Sequence, residues 1–120
     1  MRLVILIPTY QRPSTLIWSL QSVIRQKFEN SNFTKKIFIL NNDPNYINKV
    51  NQSVNQVVKN NPHHEFDTIE IIQGNTTIPA IKNIFGTLKA ITEKGDIAII
   101  HGDDDIMLPN SLFFRNNSAL

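Results

Sequence analysis

Cysteine is absent from the 120 residues, which excludes disulfides and thiolate metal sites and leaves the redox compartment unread. Long apolar runs are missing too. The longest, near Leu3–Ile7, is far too short to span a bilayer. It begins almost at Met1 and lacks a cleavage-site pattern, so the expectation is a cytoplasmic chain with no signal peptide and no membrane span. There is no basic block either. The net charge of +2 is carried by dispersed Lys and Arg residues, which offer no face for nucleic acid. Without an internal repeat or a low-complexity linker, residues 1–120 read as one domain. An apolar fraction of 41% supplies one modest core.

What is present is an alternation of two periodicities. Leu3–Ile7, Ile37–Leu40, Thr68–Ile72 and Ile97–Ile100 are short apolar runs that predict buried strands, the last buried on both faces. Between them lie three stretches with helical spacing. Pro13-Ser14 opens the first, whose apolar face is Leu16, Leu20, Val23, Ile24 and Phe28. Ile47, Val50, Val54, Val57 and Val58 mark the second, stopped by Asn60-Asn61-Pro62. Ile78, Ile81, Ile84, Phe85, Leu88 and Ile91 mark the third, with Gly95 as its C′ residue. A last short helix containing Leu112 and Phe113 is expected after a cap at Asn110 or Ser111. Trp18 reads as a helix packing residue, His101 as a core residue, and His63 and His64 as solvent-exposed. Alternating strands and helices predict an α/β fold with a parallel sheet of about four strands and right-handed crossovers.

In such a sheet the strand ends open on one edge: Pro8-Thr9-Tyr10, Asn41-Asn42-Asp43, Gly74-Asn75 and Gly102-Asp103-Asp104-Asp105. That edge is where open α/β sheets bind ligands. Three adjacent carboxylates at a strand end repel one another, so a positive charge belongs beside them. A divalent cation with oxygen ligands is the usual candidate.

Four segments, in order, resemble the nucleotide-binding half of glycosyltransferase family 2, of the GT-A type. They are Ile5 to Pro13 with the following Leu16, Leu20, Ser22-Val23 and Gln26; Ile37 to Asp43; Asn75 to Asn83; and Asp103-Asp104-Asp105 with Pro109 and Leu112. The resemblance covers Met1 to about Leu112. It implies a Rossmann-like half of a GT-A sandwich, with helices on both faces of the sheet. It also implies a nucleotide-diphosphate sugar donor, most often a uridine diphosphate sugar, held with Mg²⁺ or Mn²⁺ for transfer to an acceptor. The residues it places on the donor are Pro8, Thr9, Tyr10, Arg12, Asn41, Asn42, Asp43, Lys82, Asp103 and Asp104, with Asp103, Asp104 and Asp105 at the metal. Asp103 and Asp105 fit a DxD reading; counting back from Pro109 instead puts Asp104 on the metal and Asp103 on the ribose.

The chain also departs from the family pattern. Asn41 and Asn42 stand where an acid usually accepts from the pyrimidine, Lys82 replaces an Arg and so loses the bidentate fork, Thr77 replaces a Gly and Ile81 an Ala, and Gly102-Asp103 replaces an Asp-x opening. Inverting members carry the catalytic carboxylate in a second half, which these residues do not include. The expectation is a donor domain that lacks the acceptor half, with an exposed apolar face and self-association where that half would pack. The alternative is a truncated, non-catalytic nucleotide-binding module. An unrelated phosphotransfer α/β domain is disfavoured, because such folds need an acid after the first strand and this one ends in Pro8-Thr9-Tyr10.

Overall fold

The fold is set by four parallel strands and the helices that return between them. The computed structural model describes residues 1–28 and 32–112. In chain order the elements are β1 (Arg2–Thr9), α1 (Pro13–Ile24), β2 (Thr34–Asn41), α2 (Ile47–Asn60), β3 (Thr68–Gln73), α3 (Ala80–Ile91) and β4 (Ile97–Ile100). A single 3₁₀ turn, Pro44–Tyr46, leads into α2. The strands form one sheet in the order β3-β2-β1-β4, every pair parallel. The α/β architecture expected from the alternation is therefore present.

Period-two alternation along β1 divides the core. Leu3, Ile5 and Ile7 face α1 and α2, meeting Leu16, Leu20, Val50 and Val54. Val4 and Leu6 face the other way and pack with Phe38, Leu40 and the α3 residues Ile84, Leu88 and Ile91. Helices thus cover both faces, and β1 and β2 lie at the centre, fully sequestered along most of their length.

The periphery differs from the sequence expectation. Among the described residues β4 is an edge strand that pairs only with β1, and Ile97 and Ile100 remain 39% and 45% exposed rather than buried on both faces. On α3 only part of the apolar stripe reaches the sheet, and Ile78, Ile81 and Phe85 stay exposed. Trp18 is 64% exposed on the outer side of α1 instead of packing. α3 ends at Ile91, capped by Thr92, and Gly95 at φ 92° serves the following Glu93–Asp96 turn instead of a helix C′ position. In place of the last helix, Pro109–Leu112 forms turns, with Asn110 at φ 65°, outside the range a helix start allows. Phe113 lies outside the described residues. No helix among the described residues is long and apolar enough to cross a membrane.

Candidate functional site

The strand order makes a switch point between β1 and β4. From β1 the chain winds outward to β2 and β3, then crosses back to β4 on the other side. Ligands of open α/β sheets sit at the carboxyl ends of the strands at such a point. Here the two strand ends are joined directly, the Thr9 hydroxyl donating to Asp103 Oδ2 at 2.9 Å in a buried contact.

The positive charge demanded by the acids comes in this structure from Arg12. Its Nη1 lies 3.3 Å from Asp104 Oδ2 and 3.7 Å from Asp103 Oδ1. Arg12 is placed by the kink that leads into α1. Gln11 takes a left-handed φ of 56°, an uncommon conformation for a residue with a Cβ, and Pro13 starts the helix immediately after Arg12. The Gln11 side chain donates to Asp43 Oδ2 at 2.8 Å, which ties the kink to the end of β2.

The acid loop is splinted from α1. Ser19 Oγ donates to the carbonyl of Gly102 at 2.7 Å, and Ser22 Oγ accepts from the amide of Met107 at 2.9 Å. Gln26, 1% exposed, donates to Leu108 O at 2.9 Å and accepts from Leu112 N at 3.2 Å. His101 adds a contact between Nε2 and Asp105 O at 3.1 Å, which makes it a loop brace instead of a core residue.

Gly102 matters because the loop folds tightly over it. A Cβ there would stand 2.6 Å from Asp105 Oδ2 and 3.1 Å from Asp104 Oδ1. Two carboxylate oxygens therefore converge over one backbone position, while Asp103 turns toward Thr9. Among the described residues no group of three or more His, Cys, Asp or Glu side chains is arranged to hold a metal ion. A pair of hard oxygen donors still fits Mg²⁺, which takes one or two protein carboxylates and completes its shell with phosphate and water.

Two adjoining cavities follow this edge. The larger, about 370 Å³, lies over the ends of β2 and β3, between Tyr10, Asn42-Asp43-Pro44, Asn75 and Asn83. The smaller, about 230 Å³, runs past Pro8, Thr9, Arg12 and Asp103. Tyr10, Asn42 and Ala80 line both, which makes them one cleft. Of the sequence-predicted site residues, Pro8, Thr9, Tyr10, Arg12, Asn42, Asp43 and Asp103 border the cleft. Asp104 and Asp105 stand in the loop beside it.

Asn41 and Lys82 border neither cavity. Asn41 is fully buried behind the cleft, where its Nδ2 donates to Asp43 O and Gln73 Oε1, both at 2.9 Å. Lys82 is exposed on α3, and the polar residue of that turn that does reach the cleft is Asn83, 7% exposed. Asn83, Gln11, Ser19 and the roles of Ser22 and Gln26 were not foreseen. Their signal was a polar residue held on or beside an otherwise apolar helix face, and a basic neighbour drew attention to Lys82 instead.

The chain matches no protein-family model and no curated protein.

Proposed function

We propose that the cleft binds the nucleotide of a nucleotide-diphosphate sugar, with Mg²⁺ or Mn²⁺ at the acid loop, as the donor domain of a metal-dependent glycosyltransferase. The observation that carries this reading is one continuous cleft at the β1/β4 switch point. It joins a pocket of base size, with apolar walls at Ile78 and Ala80, to an arginine and an acid loop 3.3 Å apart. The four ordered sequence segments that resemble family 2 support it from a separate direction.

In this reading Tyr10, 57% exposed at the mouth, covers the base. Thr9 fixes Asp103, and Arg12 is the cation nearest the diphosphate. Asp104 and Asp105 are the residues that would hold the metal. When bound, the metal supplies a Lewis acid that offsets charge on the leaving diphosphate.

Calorimetric titration of UDP, CDP, ADP and GDP, with and without Mn²⁺, tests the proposal. Metal-dependent binding of at least one supports it, and no metal-dependent binding of any overturns it.

One observation favours binding without transfer. The carboxylates that border the cleft already hold partners, Asp103 with Thr9 and Arg12, and Asp43 with Gln11 and Asn45, so neither stands ready to take a proton from an acceptor hydroxyl. Sustained, metal-dependent hydrolysis of a nucleotide sugar by this chain alone would exclude that second reading.

A further inference from the structure

The larger pocket has a hydrogen-bonding polarity that can be read outward from a main-chain group. The amide N–H of Asn75 donates to Asn83 Oδ1 at 3.2 Å. A backbone N–H is only ever a donor, so the Asn83 amide is oriented with Nδ2 away from it. That Nδ2 donates to Asn42 Oδ1 at 2.7 Å. The orientation of Asn42 follows in turn. Its oxygen is taken, and its Nδ2, which meets no partner among the described residues, is left to the cleft it lines. Gly74 makes room for this pair, since a Cβ there would press on Asn83 Nδ2 and stand 2.6 Å from Asn42 Oδ1.

The neighbouring acceptors are also engaged. Asp43 Oδ1 accepts from Asn45 N at 3.0 Å and Oδ2 from Gln11 Nε2 at 2.8 Å. Asn75 Oδ1 accepts from both the amide and the hydroxyl of Thr77, at 3.0 and 2.6 Å. Around Asn42, Asp43, Asn75 and Asn83 each side-chain oxygen already holds a hydrogen bond, whereas the side-chain amide hydrogens of Asn42 and Asn75 meet no partner among the described residues.

From this we infer that the pocket selects a base with adjacent acceptors on its edge, cytosine in preference to uracil. The inference rests on the nucleotide reading above. Cytosine offers N3 and O2 side by side to the Asn42 amide, which meets no other partner among the described residues. Uracil places its N3–H between two carbonyls, facing the Asn42 amide donor on donor. A half-buried polar group left unpaired in this way costs about tenfold in affinity, towards the low end of the usual range.

Competition calorimetry of CDP and UDP in the presence of Mn²⁺ tests it, with ADP and GDP as purine arms. The expected result is CDP bound about tenfold more tightly than UDP. Asn42→Asp keeps the acceptor that Asn83 needs and replaces the free donor with an acceptor, so it should reverse the order. Asn42→Ala, which removes the donor outright, should bring CDP down to the level of UDP and covers the case in which the aspartate does not fold. UDP bound as well as or better than CDP, a purine diphosphate bound best, or a ratio unchanged in both variants overturns the base preference and leaves the nucleotide site standing. Failure of all four nucleotides to bind overturns the nucleotide reading itself.

Discussion

Arg2 and Asp96 show at residue scale how one pair closes the sheet far from the cleft. Arg2 Nε and Nη2 donate to the two carboxylate oxygens of Asp96 at 3.0 and 2.6 Å, tying the start of β1 to the residue before β4. The hydrogen bonds from Arg2, with help from the amide of Glu93, lower the Asp96 pKa from 3.8 to about 2. A carboxyl group whose pKa falls on folding stabilises the native state above its unfolded value, and this contribution disappears as pH drops through the folded one. The wild-type chain should therefore lose stability between pH 3.8 and about 2. Asp96→Asn should be less stable at neutral pH and converge with wild type near the bottom of that range. Urea midpoints measured across it check this, and parallel curves for the two proteins would refute it. The cleft residues at the strand ends, such as Thr9, Asn42, Asp43 and Asp103, were legible in the sequence, because a polar residue straight after an apolar strand has few other roles. The direction in which the Asn42 amide points was not. It depends on Asn83, which is 41 residues away in the chain and reaches Asn42 only because Gly74 lacks a side chain.

Among the elements, α1 does more than cover the sheet. Its apolar side packs into the core, while Ser19 and Ser22, together with Gln26 just beyond its end, hold the loop that carries the acids. Gln26→Ala would release the carbonyl of Leu108 and leave the buried amide of Leu112 without its partner, a loss of about 1–3 kcal/mol. If the cleft binds a nucleotide with a metal as proposed, the same variant should also weaken that binding, although Gln26 lines no part of the cleft, because the loop that carries Asp104 and Asp105 loses its support. Unfolding midpoints and calorimetry read the two effects separately, and a stable variant with unchanged binding would remove the splint from the account. Strand and helix positions were readable from periodicity, with ends that moved by a few residues. The third helix presents a wider apolar stripe than the sheet covers. Its stripe of six apolar residues satisfies the helical period, yet only one edge of the stripe meets the sheet.

For the whole molecule the decisive fact is that β4 lies at an edge. Among the described residues a strand of Ile97, Ala98, Ile99 and Ile100 leaves one row of backbone groups unpaired, and two of its isoleucines are substantially exposed. Apolar edge strands are templates for pairing with another chain. Sedimentation velocity over a wide concentration range should show self-association. Ile100→Lys should suppress it, since charge at an edge discourages further pairing. A wild-type chain that stays monomeric throughout would show that this edge is protected by other means.

By itself the sequence determined the alternation of strands and helices, the parallel sense of the sheet, and the gathering of four polar strand ends at one edge. These follow from local periodicity and from the helices between successive strands, which carry the chain back so that the strands run parallel. Only the tertiary structure decided that β4 is peripheral, that Arg12 neutralises Asp103 and Asp104, and that Asn42 turns a donor into the cleft. Each of these depends on pairing between segments distant in the chain. A residue's own neighbours record whether it is buried, but not which strand lies beside it or which partner has already taken its hydrogen bonds.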